Sequence, residues 1–168
     1  MIHIYTGNGK GKTTAAFGLA MRASGQGLKV AIFQFFKPAK LVCGEEVSAG
    51  KLKNIRVVKC RESHPMFGGQ GKAKKAILEL VKDAEKAISS KRYGMVILDE
   101  IINVVDQDFF SSKKFISLLK KSPKKLELVL TGRGDISRIE EYADYVTILV
   151  EKKHPFRTRI GARRGVEY

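Results

Sequence analysis

An α/β fold, built on a mostly parallel six-stranded sheet with helices on both faces, is what this sequence predicts. Three observations predict it. Short apolar runs alternate with segments of helical character along the whole chain, as in parallel strands joined by crossover helices. The run from Lys29 to Phe35 is apolar at almost every residue, as a strand buried on both faces is. The first apolar run stops at a glycine-rich turn that leads straight into a helix.

In order, Ile2 to Thr6 reads as the first strand, and Lys12 to Ser24, rich in Ala, Leu and Met, as a helix stopped by Gly25-Gln26-Gly27. Lys29 to Phe35 is the second strand. Phe36 to Asn54, with Pro38, Gly44 and Gly50, reads mostly as loop, and Ile55 to Cys60 as the third strand. Arg61 to Gly71 carries His64-Pro65 and three glycines and reads as a mobile loop. Lys72 to Lys91 is an amphipathic helix with Ile77, Val81, Ala84 and Ile88 on one stripe. Gly94 to Glu100 is an apolar strand ending in two carboxylates. Ser111 or Ser112 caps a helix that reaches Lys121 and stops before Pro123. Leu126 to Thr131 is the fifth strand, Ile136 to Tyr142 a short helix and Val146 to Val150 the sixth strand. The stretch from Glu151 to Tyr168 is a basic tail with little period.

The 168 residues suit one domain with one substantial core. With 43% hydrophobic and 29% charged residues, disordered and fibrous classes are excluded. No apolar run approaches the roughly 18 residues of a membrane span, and Met1 to Tyr5 lacks the features of a signal peptide. The chain is therefore read as cytoplasmic, and Cys43 and Cys60 as reduced thiols, since their spacing matches no metal or redox motif. The net charge of +15 suits either nucleic acid or a site for small polyanions on a lysine-rich surface. No aromatic residues interleave with the lysines at stacking intervals, which weighs against nucleic acid.

Gly7-Asn8-Gly9-Lys10-Gly11-Lys12-Thr13-Thr14, between strand and helix, has the context of a phosphate-binding P-loop. Glycines let successive N–H groups point at phosphate oxygens, and the helix dipole adds positive potential. Lys12 supplies a full charge, and the Thr13 hydroxyl is placed for magnesium. The usual pattern has glycine where this chain has Thr6. Asp99 ends a strand expected to lie beside the P-loop strand, where a carboxylate holds magnesium directly or through water, and Glu100 is positioned to orient a nucleophile or a ribose. The class is then a P-loop NTPase of RecA-like form, a single nucleotide-binding domain over residues 1–168 with its basic tail from about 151.

The stretch GNGKGKTTAAFG, Gly7 to Gly18, resembles the ATP:corrinoid adenosyltransferases. Four further blocks agree in order: Arg22 to Gly27, Phe33-Gln34-Phe35-Phe36-Lys37, Leu98 to Asn103 around Asp99-Glu100, and Thr131-Gly132-Arg133-Gly134. The closing Lys152 to Tyr168 is similar to the family's tail as well, and Thr6 is usual in that family. Two features differ: there is no extension before the first strand, and no Trp, so Arg61 to Gly71 offers His64, Pro65, Met66 and Phe67 instead.

The resemblance implies transfer of the 5′-deoxyadenosyl group of ATP to the cobalt(I) of a corrinoid, with release of triphosphate. It implies ATP as co-substrate, Mg2+ or Mn2+ at Thr13 and Asp99, and catalytic roles for Lys12 and Glu100. The nucleotide-binding set is Gly7, Asn8, Gly9, Lys10, Gly11, Lys12, Thr13, Thr14, Arg22 and Arg133. Arg22 reads equally as a phosphate contact or as helix-surface charge. Arg133, at a strand end where ligands of open α/β sheets bind, reads as a phosphate contact. His154 either orders the tail or touches nucleotide, and Phe67 and Phe156 either join the core or face the corrin ring. A reductase or flavoprotein is the implied source of electrons, and a homodimer is left open. Two other readings of the same loop are a small kinase or phosphohydrolase and a RecA-like ATPase driven by nucleic acid.

Overall fold

A computed structural model describes residues 1–37, 42–60, 70–158 and 160–166. Six strands form one sheet: β1 (Ile2–Thr6), β2 (Val30–Gln34), β3 (Ile55–Lys59), β4 (Met95–Asp99), β5 (Glu127–Thr131) and β6 (Tyr145–Ile148). Their order is β3-β2-β4-β5-β1-β6, and every pairing is parallel. The expected class is thus the observed one. β5, however, lies between β1 and β4, so the strand ending in Asp99 is not the direct neighbour of the P-loop strand.

The helices are α1 (Lys12–Gly25), α2 (Gly44–Ala49), α3 (Gln70–Ser89), α4 (Ile101–Asp106) and α5 (Ser112–Lys121). On one face, Ala16, Phe17, Ala20 and Ala23 of α1, with Ala49 of α2, pack on Val30, Ile32, Met95, Ile97 and Val129. On the other, α3 lays Ile77, Leu80, Val81, Ala84 and Ile88 on Ala31, Phe33, Val96 and Leu98, and α4 and α5 complete the cover with Ile101, Ile102, Phe115 and Leu119. Two adjacent interior strands, β2 and β4, are buried at all five positions. That is why they read as unbroken apolar runs.

Three elements differ from expectation. α2 forms inside the stretch read mostly as loop, with Glu45 and Glu46 in its first turn, where the helix dipole favours acids. α4 follows β4 after Glu100, whose φ of 66° breaks the strand and turns the chain into the helix. Between Ile136 and Tyr142 only a 3-10 turn, Glu140–Tyr142, closes. There Asp135 takes the Ser137 N–H and hydroxyl at 2.9 Å each, a local bond that competes with helix, and Ile139 alone in that stretch is buried. Residues 61–69 of the expected mobile loop, including Phe67, lie outside the described residues, as does the Phe156 side chain. Gln70 and Gly71, read as loop or its edge, already belong to α3.

Candidate active site

The phosphate loop sits at the carboxyl edge of the sheet, where ligands of open α/β sheets bind. α1 opens at Gly11 (φ 106°) with no side-chain cap and no acidic residue in its first turn. Its leading N–H groups, which most helices satisfy with a cap, are therefore available to an anion. The loop is seated on the chain just after β6: the Gly9 N–H donates to the Leu149 carbonyl at 2.7 Å, and the Leu149 N–H donates to Thr6 O at 2.8 Å. A Cβ on Gly9 would come within 2.7 Å of that same carbonyl. Gly9→Ala is therefore expected to push the loop off its seat and weaken nucleotide binding about tenfold or more, the size of effect a 1–3 kcal/mol overpacking strain produces. A fluorescent ATP analogue titrated against both proteins checks this, and unchanged affinity would contradict it.

Lys12 is only 6% exposed, and its ammonium donates to Gly7 O at 2.6 Å and Gly9 O at 2.8 Å, bracing the loop from inside. Burial lowers its pKa and the nearby Arg133 adds to that, while Glu100 and Asp99 oppose both. Lys12, Lys37 and Arg133 line one cleft of about 180 Å³ with Gly9 to Thr14, Cys43, Glu45, Glu100 and Val166. A neighbouring hollow of about 440 Å³, lined by Gly7, Asn8, Arg133 and Ile148 to Glu151, shares Arg133 with it. Arg133 is brought there by Gly132, whose φ of 147° sets the turn, and by its own N–H donating to Asn103 Oδ1 at 2.6 Å.

Asp99 is fully buried at the end of β4. Its Oδ1 accepts from Thr131 Oγ1 at 2.7 Å and Thr13 Oγ1 at 3.0 Å, and its Oδ2 accepts from Gln34 Nε2 at 3.0 Å. Thr131 Oγ1 in turn accepts the Glu100 N–H at 2.9 Å, so β5 ties the two acids together. Two adjacent oxygens on an octahedral magnesium, with bonds of roughly 2.0–2.1 Å, are about 2.9 Å apart. The 3.0 Å between Thr13 Oγ1 and Asp99 Oδ1 fits that spacing with hard oxygen donors. Among the described residues no group of three His, Cys, Asp or Glu side chains forms a metal cage, so phosphate and water would supply the other positions.

Glu100 is half-buried, and burial raises its pKa, with Asp99 adding to the effect; Lys37, Lys12 and Arg133 pull it down. A carboxyl raised in the folded chain is ionised there at a cost the unfolded chain does not bear. The sign follows: the protein binds more protons folded than unfolded, so this group's contribution is present at low pH and is lost as pH rises through its folded value. Glu100→Gln should therefore gain stability over the unaltered chain as pH climbs above the ordinary glutamate range. Urea denaturation of both proteins at stepped pH reads the difference, and a gap that is flat or closes with rising pH contradicts the assignment.

Other residues of the expected set lie as follows. Thr14 is exposed and its hydroxyl donates to Glu45 Oε1 at 3.0 Å. Lys10 is exposed on the loop, and its ammonium donates to the carbonyl of Val166 in the tail at 2.7 Å. Arg22 stands exposed in the last turn of α1, about 15 Å along the helix from Lys12 at 1.5 Å per residue, so the fold does not bring it to the loop within one chain. His154 is half-buried just before a 3-10 turn, Pro155–Thr158. Cys43 and Cys60 are both buried and stand outside any disulfide. Gln34, Lys37, Thr131 and Asn103 stood in recognised motifs without assigned tasks, while Glu45 enters through the fold.

Comparison with known proteins adds independent weight. Residues 1–168 match the model of the family described as ATP:corrinoid adenosyltransferase BtuR/CobO/CobP. The chain is 33% identical over 175 residues to the corrinoid adenosyltransferase of Escherichia coli, covering 100% of this chain and 85% of that one. It is 32% identical over 172 residues to the corrinoid adenosyltransferase CobA of Salmonella typhimurium, with 100% and 85% covered. To the corrinoid adenosyltransferase of Pseudomonas aeruginosa it is 30% identical over 173 residues, with 98% and 82% covered. Matched by that family over residues 1–168 and at 30–33% identity by relatives of that name, this chain belongs to the ATP:corrinoid adenosyltransferases.

Proposed function

We propose that this chain transfers the 5′-deoxyadenosyl group of ATP to the cobalt(I) of a corrinoid and releases triphosphate. The observation that carries the reading is an uncapped helix N-terminus with a buried lysine, built to hold polyphosphate, in a chain of this family. Cobalt(I) supplies the electron pair for the new cobalt–carbon bond. The bond between C5′ and the phosphate oxygen breaks, and its pair leaves on the triphosphate. No proton has to be removed from the nucleophile, so a general base is not required.

What remains for the protein is to align C5′ with the metal and to stabilise charge on the departing oxygen. The N–H groups between Gly7 and Thr14, other than that of Gly9, which Leu149 holds, and the Lys12 ammonium serve the second task, with Arg133 from the neighbouring turn. Thr13 and Asp99 would hold magnesium or manganese, which when bound neutralises part of the polyphosphate charge. Glu100, beside this cluster, is read as orienting the ribose. The cobalt has to arrive already reduced, and we read a separate reductase or flavoprotein as the supplier and the cytoplasm as the setting. Among the described residues no helix is long and apolar enough to cross a membrane.

The test mixes the protein with ATP, magnesium and chemically reduced cobalamin and follows the light-sensitive spectrum of adenosylcobalamin. Equimolar triphosphate is expected beside it. ADP without a cobalt–carbon product would reject the reading in favour of a kinase or phosphohydrolase. Hydrolysis stimulated by DNA or RNA, again without that product, would favour a nucleic-acid-dependent ATPase.

A further inference from the structure

Gln34 ends an otherwise apolar strand and is fully buried, yet the transfer chemistry gives it no task. It stands directly beside Asp99 in the β2–β4 register. The alternation of side chains carries Val30, Ile32 and Gln34 onto the face covered by α1, together with Met95, Ile97 and Asp99. Its amide nitrogen donates to Asp99 Oδ2 at 3.0 Å, while Thr131 and Thr13 both donate to Oδ1. The carboxylate is thereby gripped at both oxygens.

Charge fixes which way the amide faces. Turned about, Gln34 Oε1 would meet a carboxylate oxygen, acceptor against acceptor. With Nε2 committed to Asp99, Oε1 is left buried without a hydrogen-bond donor among the described residues. An apolar side chain of the same size would avoid that cost. What the amide provides in return is the orientation of Asp99.

We propose that Gln34 is a positioning residue for the metal end of the site. It occupies Asp99 Oδ2 so that Oδ1, the oxygen shared with Thr13, is the one turned toward a divalent cation. Gln34 itself touches neither nucleotide nor corrinoid. The inference rests on the reading of Thr13 and Asp99 as the metal-holding pair.

The test uses the full chain with Mn2+ followed by electron paramagnetic resonance and a mant-ATP titration followed by fluorescence. Gln34→Met, close in size but with no N–H, is expected to weaken Mn2+ binding in the presence of ATP about tenfold, the usual scale for losing a partner behind a metal ligand. Its affinity for mant-ATP in EDTA should match that of the unaltered chain, because the loop amides need no metal. Gln34→Asn, which keeps the amide but withdraws it by one carbon, should give the same pattern and serves where Gln34→Met does not fold. Equal losses with and without metal would mean a general structural role and overturn the proposal, as would Mn2+ affinity left unchanged. If Mn2+ fails to tighten mant-ATP on the unaltered chain, the metal-pair reading itself has failed, visibly and before any variant is made, and the proposal falls with it.

Discussion

Lys12→Ala is expected to lower the rate of adenosylcobalamin formation by about 10²–10³-fold at saturating ATP, the scale on which losing one preorganised charge-stabilising donor acts. The side chain is 6% exposed and is held by two loop carbonyls, so its charge acts in a site from which most water is excluded. Arg133 also lines the cleft, but it is exposed, and its field is more strongly screened. Truncation also removes the brace between Gly7 O and Gly9 O, so ATP affinity should fall along with the rate. Circular dichroism should stay that of the unaltered protein, since the six strands and the α1 core do not depend on this side chain. A folded variant within tenfold of the normal rate would remove Lys12 from the machinery.

Asp99→Asn is expected to cost about a hundredfold in rate at low magnesium, with part of the loss recovered as magnesium is raised. The substitution preserves shape, and the hydrogen bonds can be remade. Both threonine hydroxyls still find an acceptor in the new carbonyl, and the Gln34 amide can rotate to accept from the new NH₂. What is lost is the negative charge that a divalent cation needs, so metal affinity should fall without a comparable fall in melting temperature. Rates at stepped magnesium, with thermal unfolding as control, separate the two effects. Normal activity at limiting magnesium would show that Asp99 is a structural carboxylate.

Much of this site was legible because its main parts are contiguous. Glycine spacing, a lysine and two threonines between strand and helix specify a phosphate loop locally, and a strand that stops at Asp99-Glu100 marks its own end. Other parts depend on the fold. Thr131 became the bridge between the two acids only because β5 inserts between β1 and β4. Gln34 was open to a simpler inference: with side chains alternating along the strand, a polar residue at its last position shares a face with Ile32 and faces whatever α1 leaves uncovered. α4 escaped notice because four of its six residues are Ile or Val, which favour strands. Burial of Ile101, Ile102 and Val104 outweighs that preference. α2 was hidden by Gly44 at its start, while the bonds that anchor it, Glu45 to Thr14 and Glu46 to Lys59, join residues far apart in sequence.

The position of β1 bears on how the chain is made. Of the six strands it is translated first, yet both its neighbours, β5 and β6, are translated after the other three, and the loop it carries waits for Leu149 to seat Gly9. A nascent chain that stops before β5 should hold β1 with both edges open, and one that stops before Leu149 should show no affinity for nucleotide, however well β2, β3 and β4 have assembled. Late closure of such distant pairings slows folding and prolongs exposure of a sticky segment. Stalled translation of this protein should therefore yield aggregation-prone fragments, and ATP should rescue only chains stalled beyond β6.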